Sequence, residues 1–221
     1  MTNEYQIYFA GDLFDHKDLI GNTLITEYLE KASGGKYISQ LPQDINPGGS
    51  SPEEIRNTNL LKLMECDVAL FNFDGNELDS GSVVEFMFAK FVDIPSLIVR
   101  SDFRSSGDQG EAGDDWNLMC SFYPRTRILK INSMDWYQEA KANTQSAAEL
   151  IDRLYTKVAK LLVEELDLTI AEPSLFKGDT QLAENIYQWG HLIPGGKMSA
   201  EFGGKEHSAK IISSKKGKGL I

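Results

Sequence analysis

The chain has 221 residues, of which 41% are hydrophobic and 25% charged, and it carries a formal net charge of −11. That length suits one α/β domain with an appendage and is too short for two full domains with separate large cores. The acidic balance argues against a broad groove for a polyphosphate chain, though it leaves room for one small ligand in a cleft.

The N-terminus, MTNEYQIYF, lacks a basic start followed by an apolar core, so no signal peptide is expected. Tyr5 to Gly11 (YQIYFAG) is an apolar, aromatic and β-branched run ending in Gly, and it reads as a buried strand. From Asp15 to about Ala32, Leu19, Ile20, Leu24, Ile25, Tyr28 and Leu29 recur at helical spacing. Lys36 to Leu41 reads as a second strand, followed by the turn-rich loop LPQDINPGGSSP. Ser51, Pro52 and Glu54 then form a capping signature for a helix that runs to about Glu65.

Asp67 to Phe73 (DVALFNF) has the unbroken apolar character of a central strand. A helix is predicted from Gly81 to about Phe91, and Ser96 to Arg100 (SLIVR) is a fourth strand. Asp102 to Asp115 is a long loop rich in Gly, Ser and Asp, and loops of this length are usually functional or disordered. Arg127 to Ile131 (RILKI) is a fifth strand, and Asn143 to about Asp167 is a long amphipathic helix.

Strands alternating with helices predict a doubly wound, flavodoxin/Rossmann-like parallel sheet of five strands flanked by helices. Residues 1–170 are expected to form this domain. Residues 171–221 form a C-terminal extension in which LAENIYQWGHLI can make one more helix, and SSKKGKGLI reads as a frayed basic tail. No apolar run reaches the roughly 20 residues that cross a bilayer. Cys66 and Cys120, the only two cysteines, read as reduced core thiols. These features predict a cytoplasmic protein without contact to membrane or nucleic acid. With no cysteine pair and with His16, His191 and His207 scattered, no metal site is expected.

In doubly wound folds, ligands sit beyond the carboxyl ends of the strands. The third strand exits into DGNELDSGSVVE, which carries Asp74, Glu77, Asp79 and Glu85. Asp79 falls near the helix cap, where free N–H groups and the helix dipole favour an anion. Glu85 falls just over one turn inside, among Val83, Val84, Phe86 and Phe88. A carboxylate in such company either faces outward or is held in a pocket.

The stretch CDVALFNFDGNELDSGSVVEFMFA resembles the signature of the nucleoside 2-deoxyribosyltransferase family, a strand opening with Asp and then D-x-G-[ST]-x-x-E with a small residue in the helix core. Asp79, Gly81, Ser82, Glu85 and Ala89 match it position by position. The opening IYFAGDLF resembles the family's first strand and turn, with Tyr8, Gly11 and Phe14 in its places. WNLM resembles the loop whose Asn and Met reach a neighbouring subunit's site, here Asn117 and Met119. LPQDIN resembles the base-recognition loop, where either Gln43 or Asn46 holds the nucleobase. One departure concerns the Asp that helps protonate the departing base in the family, because its place is taken by Asn59, which cannot deliver a proton.

The resemblance implies a pentosyltransferase of nucleotide metabolism that works on nucleosides and nucleobases without a cofactor, as a homo-oligomer with shared active sites. Glu85 would be the carboxylate nucleophile that forms a covalent deoxyribosyl ester, Tyr8 would orient it, and Asp79 would hold the sugar hydroxyls. Gly11, Phe14, Asn59, Gly81, Ser82, Asn117 and Met119 would line the substrate. Two alternatives are hydrolysis of 2′-deoxynucleoside 5′-monophosphates and a catalytically altered nucleotide-binding module.

Overall fold

The structure, a computed structural model, describes residues 4–45, 50–105, 107–110, 113–195 and 204–221. Five strands form one sheet: β1 Tyr5–Ala10, β2 Tyr37–Gln40, β3 Val68–Asn72, β4 Ser96–Arg100 and β5 Thr126–Lys130. Their order is β2-β1-β3-β4-β5, and every neighbouring pair is parallel. The doubly wound sheet expected above is therefore present, and its order reverses between β1 and β3.

Eight helices connect and cover the strands among the described residues: α1 His16–Ala32, α2 Pro42–Ile45, α3 Pro52–Glu65, α4 Ser80–Phe91, α5 Ser133–Lys141, α6 Ala147–Ile170, α7 Thr180–Leu192 and α8 Gly204–Gly217. A 3₁₀ turn covers Leu118–Cys120. The helix starts follow from side chains that satisfy free N–H groups. The Asp15 carboxylate accepts from the backbone N–H of Lys17 and Asp18 at the start of α1. Ser51 and Glu54 form a reciprocal capping box on α3.

The period of two along β1 sorts its residues between two cores. Tyr5, Ile7 and Phe9 join a cluster with Leu29 of α1 and Leu162 and Leu166 of α6. Tyr8 and Ala10 face the opposite side, with Leu63 and Met64 of α3 and Phe86 and Ala89 of α4. Phe71 and Phe73 of the β3 side meet Phe86 edge to face, at ring separations of 5.2 and 5.6 Å. Such pairs contribute about 0.5–1.5 kcal/mol each beyond their buried area, which holds α4 firmly over the end of β3.

Four expectations change. The loop expected after β2 opens with the short helix α2, Pro42–Ile45. The fifth strand begins one residue earlier, at Thr126, because an edge strand that is half exposed has a weak apolar signal. Helix α5, which nothing in the sequence reading anticipated, is capped by Asn132 directly after β5, and the long helix then starts at Ala147 with Ser146 as its cap. The expected frayed tail, residues 213–221, is held instead: its first five residues close α8, whose Ile211 and Ile212 lie in the α3–α4 core. Two lysines of the tail are anchored: buried Lys215 of α8 donates to the Cys66 carbonyl, and Lys218, just past α8, pairs with Asp67 at 2.6 Å. Burial pushes the Lys215 ammonium down to about 8. Phe176, Ala183 and Tyr187 carry the rest of the extension into the same core.

Both cysteines are buried free thiols, and burial pushes Cys66 up to about 12. Among the described residues no helix is long and apolar enough to cross a membrane. No group of three His, Cys, Asp or Glu side chains among them is placed to hold a metal.

Candidate active site

The carboxyl ends of β1 and β3 diverge at the point where the strand order reverses, and a cleft of about 340 Å³ opens there. Gly11, Leu13 and Phe14 from the β1 exit line it, together with Pro42, Asn59 of α3, and Asp79, Ser80, Gly81, Ser82 and Glu85 around the start of α4. Seven residues expected from the sequence thus share one cleft wall: Gly11, Phe14, Asn59, Asp79, Gly81, Ser82 and Glu85.

Tyr8 joins them from below. It is 0% exposed, and its hydroxyl donates to Glu85 Oε1 at 2.7 Å. The β1 pleat aims Tyr8 at α4, and the position of Glu85 just over one turn into α4 brings its carboxylate to meet the phenol. Burial raises the Glu85 carboxyl to about 7, against the pull of the Tyr8 hydrogen bond, and the negative charge of Asp79 adds to the rise. Burial and the Glu85 charge push the Tyr8 hydroxyl well above its ordinary value, so it stays a donor.

Asp79 caps α4, with Oδ2 accepting from the Ser82 N–H at 2.7 Å. A Cβ on Gly81 would come within 3.0 Å of that same Oδ2, so a glycine here keeps the cap open. A Cβ on Gly11 would meet the Asn72 Cβ at 3.0 Å, which explains the bare backbone where β1 leaves its neighbour. Phe14 stands on the rim at 76% exposure.

The base-loop candidates fare differently. Gln43 is not among the lining residues; its amide donates to the Leu19 carbonyl at 3.1 Å and to Thr23 Oγ1 at 3.4 Å, tying α2 to α1. Asn46 lies outside the described residues. Asn117 and Met119 do not reach the Glu85 cleft of their own chain. They line an adjoining cleft of about 650 Å³ with Leu78, Val83, Val84 and Trp116, and Ser80 borders both clefts. Asn117 caps the 3₁₀ turn by accepting from the Met119 N–H at 3.0 Å, and Met119 is 65% exposed.

Sequence reasoning missed Leu13 and Pro42 as lining residues; Leu13 sits beside the matched Phe14, so adjacency was the available signal. Burial raises the Asp12 carboxyl, with the charges of Asp79, Asp18, Asp74 and Asp15 adding to the rise. The acidic first loop and the acidic cap of α4 thus face one another.

The arrangement presents an ionisable, partly desolvated carboxylate fixed by a phenol, with a second carboxylate beside it at a helix terminus. Such a pair can attack an electrophilic carbon and stabilise positive charge that develops there. The sequence profile of the nucleoside 2-deoxyribosyltransferase family matches residues 7–121, just over half of the chain. Among solved structures, a conserved protein from Enterococcus faecalis V583 is similar at 22% identity, covering 64% of this chain and 99% of that one with a TM-score of 0.49. The 2-desoxiribosyltransferase from Leishmania mexicana is similar at 19% identity, over 63% of this chain and 99% of that one, with a TM-score of 0.48. The 2-deoxyribosyltransferase from the psychrotolerant bacterium Bacillus psychrosaccharolyticus follows at 16% identity, over 66% of this chain and 95% of that one, with a TM-score of 0.43. No curated protein matches the sequence.

Proposed function

Because the chain belongs to the nucleoside 2-deoxyribosyltransferase family, we propose that it cleaves the N-glycosidic bond of a 2′-deoxynucleoside and passes the sugar to a second nucleobase. The observation that carries this reading is the Tyr8–Glu85 hydrogen bond at the foot of a cleft capped by Asp79. Glu85 attacks the anomeric carbon, the bond to the base breaks, and the electron pair leaves with the base, which takes a proton from water; the incoming base returns one to water as it bonds to the sugar. The resulting sugar ester is then attacked by a nitrogen of the incoming base, which regenerates the carboxylate. Asp79 holds the sugar hydroxyls and favours the positive charge of the oxocarbenium-like state. Asn59 faces the same cleft and can hydrogen-bond a base edge but cannot protonate it. Bases that leave readily are therefore expected to react fastest.

Residues 1–170 carry this chemistry, and Phe176, Ala183, Tyr187, Ile211 and Ile212 of the extension pack into the core beneath α3 and α4. The acidic first loop disfavours a 5′-phosphate, and the Ser82 N–H, which such a group would seek, already serves Asp79. Incubation with deoxyinosine, with and without adenine, tests the reading directly. Base exchange supports the transferase, free deoxyribose moves the protein to the hydrolases, and no base release sinks the proposal.

The raised Glu85 carboxyl sets the expected pH dependence. The nucleophile works ionised, so kcat/KM should be level above about pH 7 and fall tenfold per unit below it. The Tyr8 hydrogen bond favours the anion, so Tyr8→Phe should move this acid limb to higher pH and cost more activity at pH 6 than at pH 9. Matching profiles for the two proteins would remove Tyr8 from this role.

We further propose a homo-oligomer in which Asn117 and Met119 complete the cleft of a neighbouring copy. Their exposure, and their absence from the lining of the Glu85 cleft of their own chain, support this. Mixing inactive Glu85→Ala chains with Asn117→Ala chains should restore part of the activity through hybrid sites. An active protein that stays strictly monomeric in solution would rule the arrangement out.

A further inference from the structure

Two loops leave the carboxyl ends of β3 and β4 side by side, and each is fastened by a charged side chain of the other. Arg100, the last residue of β4, is 1% exposed. Its Nη1 donates to the carbonyls of Phe73 at 2.5 Å and Gly75 at 3.2 Å, in the segment that runs from β3 toward Asp79. Its Nη2 donates to the Arg104 carbonyl at 3.2 Å, at the start of the loop that leads to Asn117. In return Asp74 accepts from the backbone N–H of Ser101 at 2.5 Å and of Asp102 at 2.8 Å, and from Ser101 Oγ at 2.6 Å.

Charge-assisted bonds of this kind are shorter and stronger than neutral ones, and here they run in both directions across one seam. Gly75 is the bend of the clamped segment, with φ at 101°, and its carbonyl is turned to Arg100 by that bend. Neither Arg100 nor Asp74 lines the Glu85 cleft. Both hold backbone next to cleft-lining segments: four residues past Gly75 the chain reaches Asp79 of the Glu85 cleft, and Trp116, Asn117 and Met119 of the adjoining cleft follow Arg104 later in the chain.

Resting on the function proposed above, we infer that Arg100 and Asp74 form a reciprocal clamp that positions the Asp79 segment and the backbone from Ser101 to Arg104 for the sugar-transfer step. Both are positioning residues. They touch no reacting atom, and they set where the Asp79 carboxylate stands relative to Glu85. A strand-end arginine spent on loop carbonyls also explains a fully buried cation whose geometry serves two functional segments at once.

The test compares Arg100→Met, Arg100→Lys and Asp74→Asn with the wild type on one deoxynucleoside. Arg100→Met should lower kcat by about 10²-fold, the scale set by a displacement of roughly 1 Å at a reacting centre, with a much smaller change in KM. The acid limb of kcat/KM should move to lower pH, because the Asp79 charge that raises the Glu85 carboxyl drifts away. Arg100→Lys should recover part of kcat by reaching one carbonyl. Asp74→Asn, at a half-buried position, should show the same pattern more weakly, and it decides the matter if Arg100→Met does not fold. Without any substrate, trypsin should cut after Arg104 faster in Arg100→Met and Asp74→Asn.

Unchanged kcat and pH profile in folded variants, with only a lower Tm, would make the clamp merely structural and overturn the inference. A wild type that releases no base overturns the functional reading and this inference with it. An active wild type with indifferent variants overturns this inference alone.

Discussion

Replacing Glu85 by alanine is expected to lower base release from a 2′-deoxynucleoside by about 10⁴-fold or more while the fold stays intact, since loss of a covalent nucleophile removes the two-step route altogether. The expectation rests on the Tyr8 bond to its Oε1 and on its position six residues after Asp79. A slow fluorinated nucleoside should leave a sugar adduct on Glu85 of the wild type, visible by mass spectrometry of the peptide. Near-normal turnover in the alanine variant would assign the nucleophile elsewhere. Stability should move the other way. A carboxyl held near 7 binds its proton more tightly in the native chain than in the unfolded one, so it destabilises the fold increasingly as pH rises from the ordinary carboxylate range through 7. Glu85→Gln removes that penalty, and its Tm should exceed the wild type's at pH 8 and approach it at pH 4.

The second large effect lies away from the cleft. Asp93→Ala is expected to destabilise the protein by about 3–5 kcal/mol, the range for removing one partner of a buried ion pair. Asp93 Oδ2 meets Arg125 Nη1 at 2.6 Å, and both side chains are almost completely buried. The same oxygen accepts from Ser174 Oγ at 2.7 Å and from the Leu175 N–H at 2.9 Å. Arg125 reaches on to the Leu220 carbonyl at 3.0 Å, so this one pair pins both ends of the C-terminal extension. Asp93 also holds a φ of 58°, which alanine tolerates poorly. Asn accepts that backbone, so Asp93→Asn isolates the charge and should fall between. Urea unfolding at pH 7 measures both, and a loss under about 1 kcal/mol for the alanine variant would show that the pair contributes little.

Much of this fold was legible because the strands of a parallel sheet are buried on both faces and read as unbroken apolar runs. β3 and β4 are of this kind and were placed to within a residue or two. The cap of α4 and the spacing from Asp79 to Glu85 were legible for a similar reason, since helix periodicity is local. Helix α5 was not, because only Ala140 of its nine residues is buried, leaving no apolar stripe to read. The lysines of the last helix looked solvated because their partners are remote in sequence. Gln43 offered an amide in a suitable loop, yet the carbonyl of Leu19 on α1 claims it, a choice made by tertiary packing. The Arg100–Asp74 seam was hidden in the same way, since each residue alone reads as an ordinary strand-end charge.

The anchoring of the last helix bears on how the chain reaches its native state. Lys215 meets the Cys66 carbonyl across 149 positions, and Lys218 meets Asp67 across 151. Closing a loop of that length is entropically slow, and non-local contacts of this sort form after local ones. A refolding chain is expected to form its local units, β1–α1–β2 and β3–α4–β4, first, with the flank of α3 and α4 that Tyr187 and Ile212 later cover still open to water. In that interval an apolar face lies bare, and the early intermediate is more prone to self-association than the finished protein.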